Sequence, residues 1–180
     1  MKKIKIGPGE HFVTRDPSHL IITVLGSCIA ACIRDPVAGA GGMNHFMLPQ
    51  SDTGNWGDAS ESMRYGNFAM ERLINDILQL GGVRRRLEVK LFGGGLMMAD
   101  HAAIGCKNAD FAEAYLRAEN MSVAACDLRG LHARRVEYLP LTGKVMMLQI
   151  ESANSKVARL EQGFARSIRK TPTGSIELFD

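Results

Sequence analysis

The stretch from Leu20 to Pro49 constrains the fold more than any other part of this 180-residue chain. It opens on Leu20-Ile-Ile-Thr-Val-Leu25, a β-branched apolar run that reads as a buried strand, and Gly26-Ser27 ends or kinks it. Cys28 to Arg34 and Gly39 to Leu48 read as two further short strands. Asp35-Pro36-Val37-Ala38 joins them as a turn with proline at its second position. Three strands packed this closely in sequence commit the chain to a sheet, and Pro49 closes the unit.

The remaining segments fill out a mixed architecture. Gly7-Pro8-Gly9 breaks a first strand carrying Ile4 and Ile6, and Gln50 to Gly57, with Trp56, reads as a surface loop. Ser60 and Ser62 are candidate caps for a helix with Met63, Met70, Leu73, Ile74, Ile77 and Leu80 on its apolar stripe, ended by Gly81-Gly82. Leu87 to Phe92 alternates as a strand and runs into Gly93-Gly94-Gly95. Asn108 is the expected cap of a second helix bearing Phe111, Ala112, Tyr115 and Leu116. Strands follow over 121–126, 134–139 and 144–150, the last two joined as a hairpin through Pro140-Leu-Thr-Gly143. Val157, Leu160, Phe164 and Ile168 then mark a basic amphipathic helix. The expected fold is α+β (mixed α/β), a layered sandwich of mainly antiparallel or mixed sheet with two or three helices. Residues 1–150 form one domain in this reading, and 151–180 form the terminal helix and tail.

Composition excludes several function classes. A formal charge of +3, with no aromatic residues interleaved among the basic ones, argues against a nucleic-acid surface. No apolar run reaches bilayer length, and the N-terminus lacks the apolar core of a signal peptide, so a cytoplasmic protein without membrane insertion is expected. Four cysteines, at 28, 32, 106 and 126, are too few and too unevenly spaced for a disulfide scaffold, and are expected as thiols.

A hairpin centred between Pro36 and Val37 pairs residues whose numbers sum to 73, as those of Cys28 and His45 do. Directly opposed residues of an antiparallel pair hold their Cβ atoms about 4.5–5.5 Å apart, which suits a thiol and the imidazole that deprotonates it. Gly26 and Ser27 beside the cysteine offer backbone N–H groups for an oxyanion. A five-residue loop from Asp35 to Gly39 would send His45 to the opposite face, and a helix starting at Cys28 is a further alternative. Taken by themselves, the residues fit better a core thiol among Ile29, Ala30 and Ala31 and a merely hydrogen-bonded histidine.

Two segments, Leu25-Gly-Ser-Cys-Ile-Ala-Ala-Cys-Ile-Arg-Asp-Pro36 and Gly42-Met-Asn-His-Phe-Met-Leu-Pro49, resemble the signature of the CheD family, the chemoreceptor glutamine deamidases of bacterial chemotaxis. Lys90-Leu-Phe-Gly-Gly-Gly95, Ile104-Gly-Cys-Lys-Asn108 and, more loosely, Arg134-Arg-Val-Glu-Tyr138 with Thr142-Gly143 extend the similarity over roughly residues 4 to 150. The resemblance implies a catalytic pair of Cys28 and His45, with Thr23 on the preceding strand as the third position. It implies a reaction that converts receptor glutamine to glutamate through a thioester, with no metal or organic cofactor. The implied partners are the cytoplasmic helices of methyl-accepting chemoreceptors as substrate, and a CheC-type phosphatase. Two other readings share these residues: a non-catalytic adaptor binding that phosphatase, and a receptor methyl-ester hydrolase.

Other features have plainer readings. Three glycines after a strand are expected as a turn and lack the Gly-Lys-Ser/Thr continuation of a phosphate loop. The spacing of Cys28, Cys32, Cys106 and Cys126 is a poor zinc pattern, and the last three are expected as buried or incidental thiols. His11, His19, His101 and His132 are assigned to surface or loop positions. Lys156, Arg159, Arg166, Arg169 and Lys170 form a solvated face of the terminal helix that also suits acidic receptor helices.

Overall fold

A computed structural model describes residues 1–49, 59–96, 102–150 and 154–168. The elements run β1 (Lys2–Lys5), β2 (His11–Thr14), β3 (His19–Leu25), β4 (Ile29–Asp35), β5 (Ala40–Asn44), α1 (Ala59–Gln79), β6 (Glu88–Gly93), α2 (Ala102–Ala118), β7 (Val123–Leu128), β8 (Ala133–Leu139), β9 (Lys144–Ile150) and α3 (Asn154–Ile168). One sheet has the order β1-β3-β8-β9, with β1 parallel to β3 and the other pairs antiparallel. The second has the order β2-β5-β4-β6-β7, antiparallel except where β6 meets β7. The expected mixed, layered α+β fold is present.

The layers follow from side-chain alternation along the strands. On β4, Ile29, Ala31 and Ile33 join Met70, Leu73, Ile74 and Ile77 of α1 and Ala109, Ala112 and Leu116 of α2 in one buried cluster. Ala30 and Cys32 point the other way and meet Ile21, Leu25, Val136 and Tyr138 of the first sheet. The result is helices on sheet on sheet. No described helix is long and apolar enough to cross a membrane.

The β4–β5 hairpin differs from its expected register. Cys32 pairs with Met43, Ile33 with Gly42, Arg34 with Gly41 and Asp35 with Ala40, so paired numbers sum to 75. The loop has four residues, as expected, but they are Pro36 to Gly39, because Asp35 belongs to the strand. Its buried carboxylate accepts the N–H groups of Val37 and Ala38, a side-chain-closed turn, and pairs with Arg86. Gly39, with φ 60°, completes the reversal. The shift is two units of the sum rather than one, so Cys28 and His45 become diagonal neighbours and stay on the same face.

Helix starts also differ. α1 begins at Ala59, ahead of both expected caps, and Ser62 instead donates its hydroxyl to the Pro49 carbonyl. Met63 is exposed while the rest of its stripe turns inward. α2 begins at Ala102, which places Asn108 in its interior, where its amide is needed for tertiary bonding. Trp56 and its loop, and His101, lie outside the described residues.

Candidate active site

Cys28 sits in the turn between β3 and β4 and is fully buried. The carbonyls of this turn are all held from one side. Gly26 accepts from Gly95 N (2.7 Å), Cys28 from Gly94 N (2.8 Å) and Ser27 from the Asn108 side-chain amide (2.8 Å). The triple glycine, expected as a turn, instead ends β6 at Gly93 and runs on through Gly94 and Gly95 as a brace for the cysteine backbone. Gly93 has φ 114°, and a Cβ there would lie 2.1 Å from the Cys28 carbonyl oxygen, so only glycine allows this approach. Asn108 accepts the Leu48 N–H with its other end (3.0 Å), tying the cysteine turn to the strand end that follows the histidine.

With the carbonyls pinned, the N–H groups of Gly26, Ser27 and Cys28 converge on the opposite side, where they meet the carboxylate of Glu161 from α3. Gly26 N donates at 2.7 Å, Ser27 N at 2.8 Å, the Ser27 hydroxyl at 2.7 Å and Cys28 N at 3.2 Å. This is an anion cradle built from backbone donors, and a buried carboxylate is held only where donors replace its lost water.

His45 follows β5 and is pinned through its backbone, its N–H donating to the Glu10 carbonyl (2.9 Å) and its carbonyl accepting from Gly9 N (2.8 Å). Its Nδ1 lies 2.7 Å from Thr23 Oγ1, and that hydroxyl donates to the Ile6 carbonyl at 2.8 Å. A hydroxyl has one hydrogen, so Thr23 accepts from Nδ1–H, and Nε2 carries the free lone pair. Nε2 is the one buried side-chain polar atom without a hydrogen-bond partner among the described residues. Such a group is costly unless it has a chemical use.

Cys28 Sγ, a ring nitrogen of His45 and a carboxylate oxygen of Glu161 lie within 4.8 Å of one another. Burial pushes the Cys28 thiol well up, and the adjacent Glu161 charge adds to this. Burial holds His45 down to about 4, opposed by the charges of Glu161 and Glu10. The pair as it stands is therefore thiol beside neutral imidazole. Cys, His and Glu are also metal ligands, but the four donors on Glu161 occupy the lone pairs of its carboxylate. The set fits an anion site and does not fit a metal centre. Nor do the cysteines form a metal cluster among the described residues.

The structure thus gathers Cys28, His45, Thr23, Gly26 and Ser27 in one place. All four cysteines are free thiols; Cys32 is buried, Cys106 half-buried and Cys126 exposed. Two histidines assigned to surface or loop positions are half-buried strand residues with partners: His11 of β2 bonds Asp76 at 2.7 Å, and His19 of β3 bonds Thr14 at 2.8 Å. Sequence reasoning missed Asn108 and Glu161 at the site. Glu161 replaces the expected Leu160 on the inward face of α3, since Leu160 is exposed. The available signal was spacing, because Val157, Glu161 and Ala165 recur every four residues.

A family model described as CheD chemotactic sensory transduction matches residues 47–149. Among curated proteins, the chain is 56% identical over 178 residues to a "Probable chemoreceptor glutamine deamidase CheD" of Rhodopseudomonas palustris (strain BisA53), covering 98% of this chain and 84% of that protein. Proteins of the same description from Cupriavidus metallidurans and Cupriavidus pinatubonensis are each 49% identical. They cover 98% and 94% of this chain and 84% and 80% of their own lengths. The crystal structure of Bacillus licheniformis hypothetical protein YfiH superposes with a TM-score of 0.42 at 12% identity, over 67% of this chain and 49% of that one.

Proposed function

The chain belongs to the CheD family, and from that premise we propose that it is a protein-glutamine deamidase with Cys28 as nucleophile, His45 as base and Thr23 as the group that fixes the histidine tautomer. The observation that carries this reading is the orphaned Nε2 of His45 beside Cys28, in a site where the Glu161 carboxylate marks a cradle of backbone N–H groups.

The chemistry follows from that arrangement. His45 takes the thiol proton, and the thiolate adds to the side-chain carbonyl carbon of glutamine. The N–H groups of Gly26, Ser27 and Cys28 hold the oxyanion. Imidazolium returns the proton to nitrogen as the C–N bond breaks, releasing ammonia and leaving a thioester. Water then attacks with His45 again as base, the C–S bond breaks, and glutamate and free thiol result. Family membership gives the protein a role in chemotaxis. The cytoplasmic helices of methyl-accepting chemoreceptors as substrate, and a CheC-type phosphatase as partner, belong to the same proposal.

The test is the intact mass of a receptor cytoplasmic fragment after incubation with wild type or with Cys28→Ala. A gain of about 1 Da per converted glutamine is expected with wild type alone, because amide hydrolysis exchanges NH2 for OH. An unchanged mass with a cognate fragment would reject the deamidase. Release of methanol in place of ammonia from a methylated fragment would instead identify an ester hydrolase.

A further inference from the structure

Nothing in the proposed chemistry uses Glu161, yet its carboxylate is among the most completely satisfied polar groups of the site. It is 4% exposed, accepts every inward N–H of the cysteine turn, and lies beside both Cys28 and His45. Its chemical identity is that of a product: the side chain of a protein glutamate, carried on a helix, with a carboxylate oxygen where the oxyanion would form. The helix is seated by its neighbours. Val157, four residues before Glu161, is buried, and Phe164 and Ala165, three and four residues after, pack on the cluster between the sheets. Phe164 lies so close over Gly9 that a Cβ there would meet its ring at 2.7 Å.

From these contacts we infer that α3 occupies, within its own chain, the groove that receives the substrate helix, with Glu161 standing where the product glutamate stands. The inference rests on the deamidase reading of the site and adds one thing to it: the substrate helix and α3 exclude each other, so the site is closed by α3 until that helix leaves.

The donor pattern explains why a glutamate can hold this position. One oxygen takes Gly26 N and Cys28 N, and the other takes Ser27 N and the Ser27 hydroxyl. A carboxylate satisfies all four, whereas the NH2 of a carboxamide would face the Ser27 N–H, donor against donor. The cradle therefore holds the product end of the reaction better than the substrate end, and a tethered copy of that end benefits from a high effective concentration. With the carboxylate in place the thiol is fully buried, and its ionisation is opposed by a neighbouring negative charge.

The decisive experiment is Glu161→Gln, which places a carboxamide against Cys28 in the same chain. Cys28 adds to its carbonyl carbon, ammonia leaves, and water cleaves the thioester, restoring glutamate at position 161. The peptide spanning that position is expected about 1 Da heavier than the encoded amide. In the double variant with Cys28→Ala the amide persists. In parallel, Glu161→Ala is expected to raise the rate of Cys28 alkylation by iodoacetamide at pH 7 at least about tenfold over wild type, with exposed Cys126 as the internal reference. An amide that persists at position 161 in a protein still able to convert a receptor fragment overturns the inference and leaves the deamidase reading intact. Failure on both substrates counts against the deamidase reading, and an alkylation rate unchanged by Glu161→Ala overturns the closure by α3. Should Glu161→Ala fail to fold, the fate of the amide in the nearly isosteric Glu161→Gln decides the inference by itself.

Discussion

The two faces of β4 do opposite work. Ile29, Ala31 and Ile33 look toward α1 and α2, into a cluster of apolar side chains beside which the buried amide of Asn44 is tied to Ala31 N and the Ala69 carbonyl. Ala30 and Cys32, with Cys28 just ahead of the strand, look toward the other sheet, where buried Thr23, His45 and Glu161 gather near one end. The first face has only to exclude water, and many apolar side chains of the right size would serve it. The second has to hold specific polar atoms in fixed directions without water, and each of them needs a named partner. One strand of seven residues thus separates the region that stabilises the fold from the region that performs the chemistry.

The sharpest break between the faces comes from two substitutions five residues apart. Cys28→Ala is expected to cut deamidation by roughly 10³-fold or more, because the covalent step is gone, while moving stability by only about 1 kcal/mol. Ile33→Ala does the reverse. It empties part of the apolar cluster and is expected to cost about 3 kcal/mol in urea unfolding, with the rate per folded molecule unchanged. A large loss of rate in Ile33→Ala at a temperature where it stays folded would show that the helix side of β4 positions the site as well.

The same division decides what was legible in the sequence. The apolar face was readable because its signal is periodicity: Met70, Leu73, Ile74 and Ile77 on α1 and Phe111, Ala112, Tyr115 and Leu116 on α2 recur at helical spacing, and all but the half-buried Phe111 are buried. The site was readable in part. Cys28 and His45 share a face, but the route to that conclusion placed the hairpin centre one residue early, since Asp35 is a strand residue whose carboxylate closes the turn. Asn108 looked like a cap because asparagine favours caps, and only tertiary contact explains a buried amide inside a helix. Glu161 was hidden by its own chemistry, because a charged residue is assigned to the wet face of a helix unless the partners that desolvate it are known.

Acid is expected to loosen the polar face selectively. Around His45 stand the Cys28 thiol, the Glu161 carboxylate, the Glu10 charge and the Thr23 hydroxyl, and burial holds the imidazole down to about 4 against an ordinary 6.5. Between those two values the unfolded chain binds a proton that the folded chain refuses. The contribution to stability is therefore fully present above pH 6.5 and is lost as pH falls toward 4. Urea unfolding at pH 7 and pH 5 should differ by about 2 kcal/mol more in wild type than in His45→Gln. Equal differences in the two proteins would place the acid sensitivity in other groups.

The smallest expected effect separates a positioning hydroxyl from simple packing. Thr23 is 3% exposed, accepts from His45 Nδ1–H and donates to Ile6, so its oxygen selects the tautomer that leaves Nε2 bare. Thr23→Val keeps the shape and removes that selection. The imidazole is then free to carry its proton on Nε2, where it cannot accept one from Cys28. A fall of about 10- to 100-fold in kcat with KM within about threefold is expected, in line with the loss of a group that orients a histidine. Thr23→Ser, which restores the oxygen without the methyl, should recover most of the rate. If Thr23→Val keeps the rate and Thr23→Ser loses it, the methyl and not the hydroxyl is what the site needs, and the residue belongs with the apolar face of the comparison after all.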